Sequence, residues 1–122
     1  MSENTTIVQP EVRIGTHVLG NLRGCPVSKL ERVQEVRALL RSVADRAGFK
    51  IVGESFHQFQ PVGVTGVLVL QESHMIIHTW PELGLAAADV FTCGAEGNAE
   101  VGFQCLVDAF DPAEVERRVV GR

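Results

Sequence analysis

Apolar positions recur first with a strand's period, then with a helix's, then with a strand's again. Residues 1–10 are polar, end in Pro10 and are expected to form a loose arm. Val12, Ile14, His17, Val18 and Leu19 predict a first strand over 12–19, and Gly20, Gly24 and Pro26 bracket its end. Ser28 stands three residues before Glu31, the capping-box spacing. Leu30, Val33, Val36, Ala38, Leu39, Leu40, Val43, Ala44 and Ala47 then follow a helical repeat, and Gly48 closes it, predicting a helix over 28–47. Its charged face reads as solvated.

The rest of the chain reads mainly as strands. Residues 49–59 predict a second strand, 64–70 an almost wholly apolar third, 74–80 a fourth and 85–92 a fifth. The pair Glu72–Ser73 interrupts the run between the third and fourth. Pro61 with Gly63, and the segment Pro81 to Gly84, mark turns. A polar loop with Gly94 and Gly97 precedes a second, weaker helix over 99–110, interrupted by Gly102, and a tail expected to be helical through Arg118.

Strands joined by short turns must pair antiparallel. The order strand, helix, several strands, helix therefore predicts one α+β domain over 1–122, a two-layer sandwich with a mainly antiparallel sheet and the helices on one face. The other face is apolar enough to need cover. A second copy supplies it most simply, so a homodimer with an α/β/β/α arrangement is expected.

Composition narrows the classes. The chain has 122 residues, 45% hydrophobic and 21% charged, with a net charge of −4, as in an ordinary globular domain. Its basic residues form no stripe, which argues against a nucleic-acid partner. No apolar run approaches a membrane span, nothing resembles a signal peptide, and a cytoplasmic setting is expected. Cys25, Cys93 and Cys105 are odd in number and widely spaced, which favours neither a disulfide framework nor zinc.

The segment Gln71 to Glu82 concentrates the candidate chemistry: Glu72, Ser73, His74, His78 and the single tryptophan, Trp80. His74 and His78 would share one face of a strand about 13 Å apart, too far for one metal ion. Ser73, His78 and Asp89 could be a hydrolase triad, but no nucleophile elbow surrounds Ser73. A third chemistry is self-processing. A serine oxygen can attack the preceding carbonyl, here that of Glu72, when the turn is strained and a base is near. Base-driven elimination then releases the upstream chain and leaves a ketone at the serine. Ser73, His78 and Thr65 supply the residue types.

The run from Gly63-Val64-Thr65-Gly66-Val67 through ESHMIIHTWPE to Asp89-Val90-Phe91-Thr92-Cys93-Gly94 closely resembles the short bacterial and archaeal S-adenosylmethionine decarboxylases. These are pyruvoyl enzymes of polyamine (spermidine) biosynthesis. The resemblance implies cleavage into a β chain 1–72 and an α chain 73–122, with Ser73 becoming the covalent pyruvoyl group in place of pyridoxal phosphate and without a metal. His78 would be the base of processing and Thr65 the assisting hydroxyl. Cys93 would protonate the substrate α-carbon, and Glu72 would lie beside bound substrate. Decarboxylation would proceed through a Schiff base between the substrate amine and the pyruvoyl carbonyl.

The first strand departs from the family pattern. The family's acid and aromatic positions, which help hold the substrate, are here Asn21, Leu22 and Arg23, and the chain has no tyrosine. These changes leave open a relative that decarboxylates ornithine or arginine, or an inactive regulatory partner of another decarboxylase. His17 and His57 read as satisfied sheet histidines, Asp89 as a loop-orienting residue, Trp80 as core or interface, and Phe56 and Phe59 as core or ligand-facing. Cys25 and Cys105 read as small buried hydrophobes.

Overall fold

The computed structural model describes residues 14–94 and 98–122. The N-terminal arm, the first two residues of the expected first strand and most of the loop after Gly94 lie outside them. Six strands form one antiparallel sheet: β1 (Gly15–Arg23), β2 (Ile51–Gln58), β3 (Val64–Leu70), β4 (Ser73–Trp80), β5 (Leu85–Cys93) and β6 (Glu114–Gly121). Their order across the sheet is β2-β3-β4-β5-β1-β6. Two helices, α1 (Val33–Arg46) and α2 (Asn98–Phe110), lie on one face. The α+β sandwich is as the pattern predicts.

The pleat sorts every strand into two sets. Val18, Leu22, Leu68, Met75, Ile77, Ala88 and Val90 are buried against Val36, Leu40 and Val43 of α1 and Phe103, Leu106 and Phe110 of α2. The alternate set, including Leu19, Val67, Ile76, Ala87 and Phe91, forms the opposite face. No described residue covers that face.

Three elements depart from the sequence reading. The expected helix start at Ser28 is instead a short 3-10 turn over Val27–Lys29, and α1 begins five residues later. No capping box forms. Gln58 of β2 accepts the Val33 amide at 2.7 Å, while its Nε2 donates to the carbonyls of Glu31 and Gly63, both at 2.9 Å. A strand side chain therefore does the work expected of a local cap. The other end is as expected. Gly48 adopts φ +81°, its amide bonds Asp45 and the Phe49 amide bonds Ala44, a Schellman closure.

The tail expected to be helical is strand β6, which pairs with β1 from Thr16–Gly121 to Arg23–Glu114. Residues 114–121 are exposed at every position, as an edge strand beyond the helix layer must be. β1 correspondingly runs to Arg23 rather than stopping at Leu19. Gly102 does not interrupt α2. A Cβ there would lie 2.7 Å from the Phe49 ring, so glycine lets Phe49 pack against the helix.

Thr79 holds the turn before α1 to the sheet. Its buried hydroxyl donates to the Leu30 carbonyl at 2.8 Å and accepts the Val64 amide at 2.9 Å. We expect Thr79→Val, which keeps the shape and loses both bonds, to lower unfolding free energy by about 1–3 kcal/mol in a urea titration.

Candidate active site

β3 and β4 form a hairpin in which Leu70 pairs with Ser73, leaving Gln71 and Glu72 as the turn. Glu72 has φ +65°. A residue with a Cβ meets its own carbonyl there, at a cost of about 1–2 kcal/mol. The strained residue is thus the one whose carbonyl Ser73 would attack. Ser73 is half-buried and pairs on its other side with Thr92 of β5. Cys93 follows, exposed at the end of the strand. Glu72, Ser73, Thr92 and Cys93 line one cavity of about 400 Å³, together with Phe49 and Asn98.

His78 and Thr65 belong to a different cavity. They are cross-strand partners, and the Thr65 hydroxyl lies 3.0 Å from His78 Nδ1. The contact engages Nδ1 and leaves Nε2 as the nitrogen open to proton transfer. Phe59, Trp80 and Glu82 line the same cavity, also about 400 Å³. The His78 and Trp80 rings are 6.3 Å apart. Ser73 and His78 lie five residues apart on one strand. That is about 16 Å, and an odd step turns their side chains to opposite faces. Within one chain, base and serine do not meet.

The first-strand candidates fare unequally. Leu22 is fully buried against the helices and cannot touch a substrate. Asn21 and Arg23 lie on the open face, tied to Glu116 of β6 at 3.4 and 2.9 Å. Arg23 first, then Asn21, holds the Glu116 carboxyl below its ordinary range. A carboxylate therefore stands directly across from Asn21, the position that lacks the family's acid, and it neutralises Arg23.

Other expectations also shift. Trp80 is 41% exposed and lines the His78 cavity rather than filling the core. Phe56 packs on the core, whereas Phe59 faces that cavity. Asp89 lies mid-strand, 4.0 Å from His17, and orients no loop. His17 is not a satisfied histidine, because its buried Nε2 has no hydrogen-bond partner among the described residues. His57 is exposed and meets the Phe59 ring edge-on. Cys25 is buried, its thiol pushed up to about 11 by that burial and then by Asp111, which leaves it inert. Cys105 is half-buried and packs against the core. Glu82 and Thr92 lie inside the family motif without a role read for either; the 3-10 turn after β4 carries Glu82 to the His78 cavity, and strand register sets Thr92 opposite Ser73.

Three comparisons bear on this geometry. The sequence profile described as S-adenosylmethionine decarboxylase matches residues 16–122. The chain belongs to the S-adenosylmethionine decarboxylase family. An S-adenosylmethionine decarboxylase proenzyme of Persephonella marina is 39% identical over 112 residues, 92% of this chain and 84% of that protein. The proenzyme of Thermodesulfovibrio yellowstonii is 42% identical over 108 residues, 86% of this chain and 80% of that one. The crystal structure of the adenosylmethionine decarboxylase from Aquifex aeolicus superposes with a TM-score of 0.85 at 36% identity, covering 90% of this chain and 91% of the other. This family member thus carries a pyruvoyl-enzyme fold with its candidate residues split between two cavities.

His74, beside the serine in sequence, sits on the open face, its ring stacked on Phe91 with centroids 5.6 Å apart. Burial, then the neighbouring His17, lowers its pKa below the ordinary 6.5; Arg122 adds to this and Asp89 opposes it. Because the folded value is depressed, the unfolded chain binds the proton more readily. The stability that His74 permits is complete above about pH 6.5 and is lost as pH falls below it. We expect urea unfolding to show a fall in stability between pH 7.5 and 5.5, and His74→Phe to reduce that fall. An equal fall in both proteins would remove His74 as its source.

Proposed function

We propose that the chain is a self-processing proenzyme that matures into a decarboxylase of S-adenosylmethionine, with each active site assembled from two copies. The carrying observation is the separation of two half-sites at opposite ends of β4. One holds Ser73 and Cys93, the other Thr65 and His78. A second copy laid antiparallel on the open face would bring the His78 end of one chain to the Ser73 end of the other. The same contact would bury Leu19, Val67, Ile76 and Phe91. A two-fold axis through the middle of β4 makes both sites equivalent.

The processing chemistry then runs in this chain's own residues. The Ser73 hydroxyl oxygen attacks the carbonyl carbon of Glu72, the residue held in the strained turn. The Ser73 nitrogen leaves that carbon and takes the proton, so an ester replaces the amide. Thr65 of a second copy donates to the carbonyl oxygen as it becomes tetrahedral. His78 of that copy removes the Ser73 Cα proton. The Cβ–O bond breaks, releasing chain 1–72 with a Glu72 carboxylate, and water converts the remaining double bond to a ketone with loss of ammonia. Glycine would sit at position 72 without strain, so the glutamate both loads the turn and leaves a carboxylate at the site.

The pyruvoyl group so formed supplies an electron-accepting carbonyl for loss of CO2. Cys93, at the lip of the same cavity, holds the proton delivered to the substrate α-carbon. The rings of Phe59 and Trp80 beside the Glu82 carboxylate suit a purine, its ribose and a nearby cationic sulfur. The relatives reported above bear the name of the S-adenosylmethionine enzyme, and none of them favours ornithine or arginine. Glu116 also answers the charge on Arg23 and supplies a carboxylate beside Asn21, where the family's acid is missing. No helix among the described residues is long and apolar enough to cross a membrane, consistent with a small-molecule enzyme acting in the cytoplasm.

Mass spectrometry should find two pieces divided after Glu72, with a keto acid heading the second, and Ser73→Ala should stay whole. Cleavage of Ser73→Ala, or a free amine on the second piece, would overturn the processing. The two-copy site has its own test. His78→Ala alone should stay uncut, and co-expression with Ser73→Ala should restore cleavage of the His78→Ala chain. No rescue would mean that the base acts within one chain. In a CO2-release assay the matured protein should consume labelled S-adenosylmethionine and leave ornithine and arginine; preference for either amino acid would reverse the substrate assignment.

A further inference from the structure

Thr92 is 4% exposed, and its hydroxyl oxygen is buried without a hydrogen-bond partner among the described residues. Among the described residues the one other side-chain atom so placed is His17 Nε2, on the opposite face of the sheet. Valine has the shape of threonine and would fill the same space without burying an unpaired hydroxyl. Such a group destabilises the fold that holds it. The orphan stands directly opposite Ser73 in the β4–β5 register, and both residues line the Glu72–Cys93 cavity. Side chains opposite each other in an antiparallel pair project to the same side, with Cβ atoms about 4.5–5.5 Å apart. The Thr92 hydroxyl is therefore within reach of the Ser73 side chain.

We propose that Thr92 is the positioning residue for self-cleavage: its Oγ1 accepts the hydrogen bond of the Ser73 hydroxyl and holds that oxygen toward the Glu72 carbonyl. The inference rests on the processing reading and adds a residue acting within the same chain as the serine. The resting proenzyme leaves Thr92 unpaired, and the attacking arrangement pairs it. The desolvation penalty thus falls on the starting state and is relieved on the way to the tetrahedral adduct. An interaction made only along the reaction path raises the rate rather than the stability. Thr92 makes and breaks no covalent bond; the Ser73 proton still ends on the Ser73 nitrogen. The role is distinct from that of Thr65, which lies in the other cavity and meets this one only through a second copy.

The test uses the full chain and two readouts that a structural role would move together. Thr92→Val should slow cleavage after Glu72, followed by mass spectrometry, by about tenfold or more. Thr92→Ser, which keeps the oxygen, should cleave close to the wild-type rate. In a Ser73→Ala background, where no variant can be cut, adding Thr92→Val should leave the melting temperature unchanged or raise it. Slow cleavage together with a lowered melting temperature would make Thr92 a packing residue and overturn the proposal. So would cleavage of Thr92→Val at the wild-type rate, or Thr92→Ser as slow as Thr92→Val. In those cases the contrast between wild type and Ser73→Ala persists, and the processing reading stands; a wild-type chain that stays whole overturns both.

Discussion

The pleat of β4 is the constraint on which the site depends. Side chains on a strand alternate between faces, and five residues separate Ser73 from His78. No rotamer change carries one to the other across the roughly 16 Å of strand between them. The paired strands β3 and β5 lock that separation: Thr65 is held against His78 on one side, and Thr92 is set against Ser73 on the other. What a single chain presents is two separate cavities, with an open face that carries apolar residues such as Val67, Ile76 and Phe91.

Strain and unsatisfied polarity concentrate at the serine end. Glu72 takes a backbone conformation that suits glycine, and Thr92 buries a hydroxyl where valine would pack equally well. Each lowers the stability of the resting fold locally. Both lie against the Glu72–Ser73 peptide bond, the one that the proposed processing would break. The surrounding structure supports this cost with a continuous core in which α1 and α2 press on the strand residues facing them, from Val18 to Val90.

The open face has its own electrostatics. His17, His74 and Asp89 lie on β1, β4 and β5, with the Phe91 ring stacked on His74 and edge-on to His17 and with Arg122 close to that ring. Toward the β6 edge, Arg23 and Glu116 neutralise each other. Asn21 and Arg23, two of the residues by which the first strand leaves the family pattern, therefore form a closed local network with Glu116 rather than an unbalanced charge. Their chemistry is only intelligible once β6 is seen beside β1.

The sequence by itself determined the layered α+β class, the five strands before α2, the C-terminal closure of α1 at Gly48 and the family to which the chain belongs. These rest on local signals: periodicity of apolar residues, a left-handed glycine, and a motif dense enough to name a family. Tertiary structure alone decided the rest. α1 starts at Val33 because Gln58, distant in sequence, takes its first amide, and no local cap competes. Residues 114–121 form a strand because β1 offers an unpaired edge; their own alternation of valine and charge was too weak to predict it. Register, which a sequence does not encode locally, set Thr92 against Ser73 and Glu116 against Asn21, and parity along β4 turned Ser73 and His78 to opposite faces.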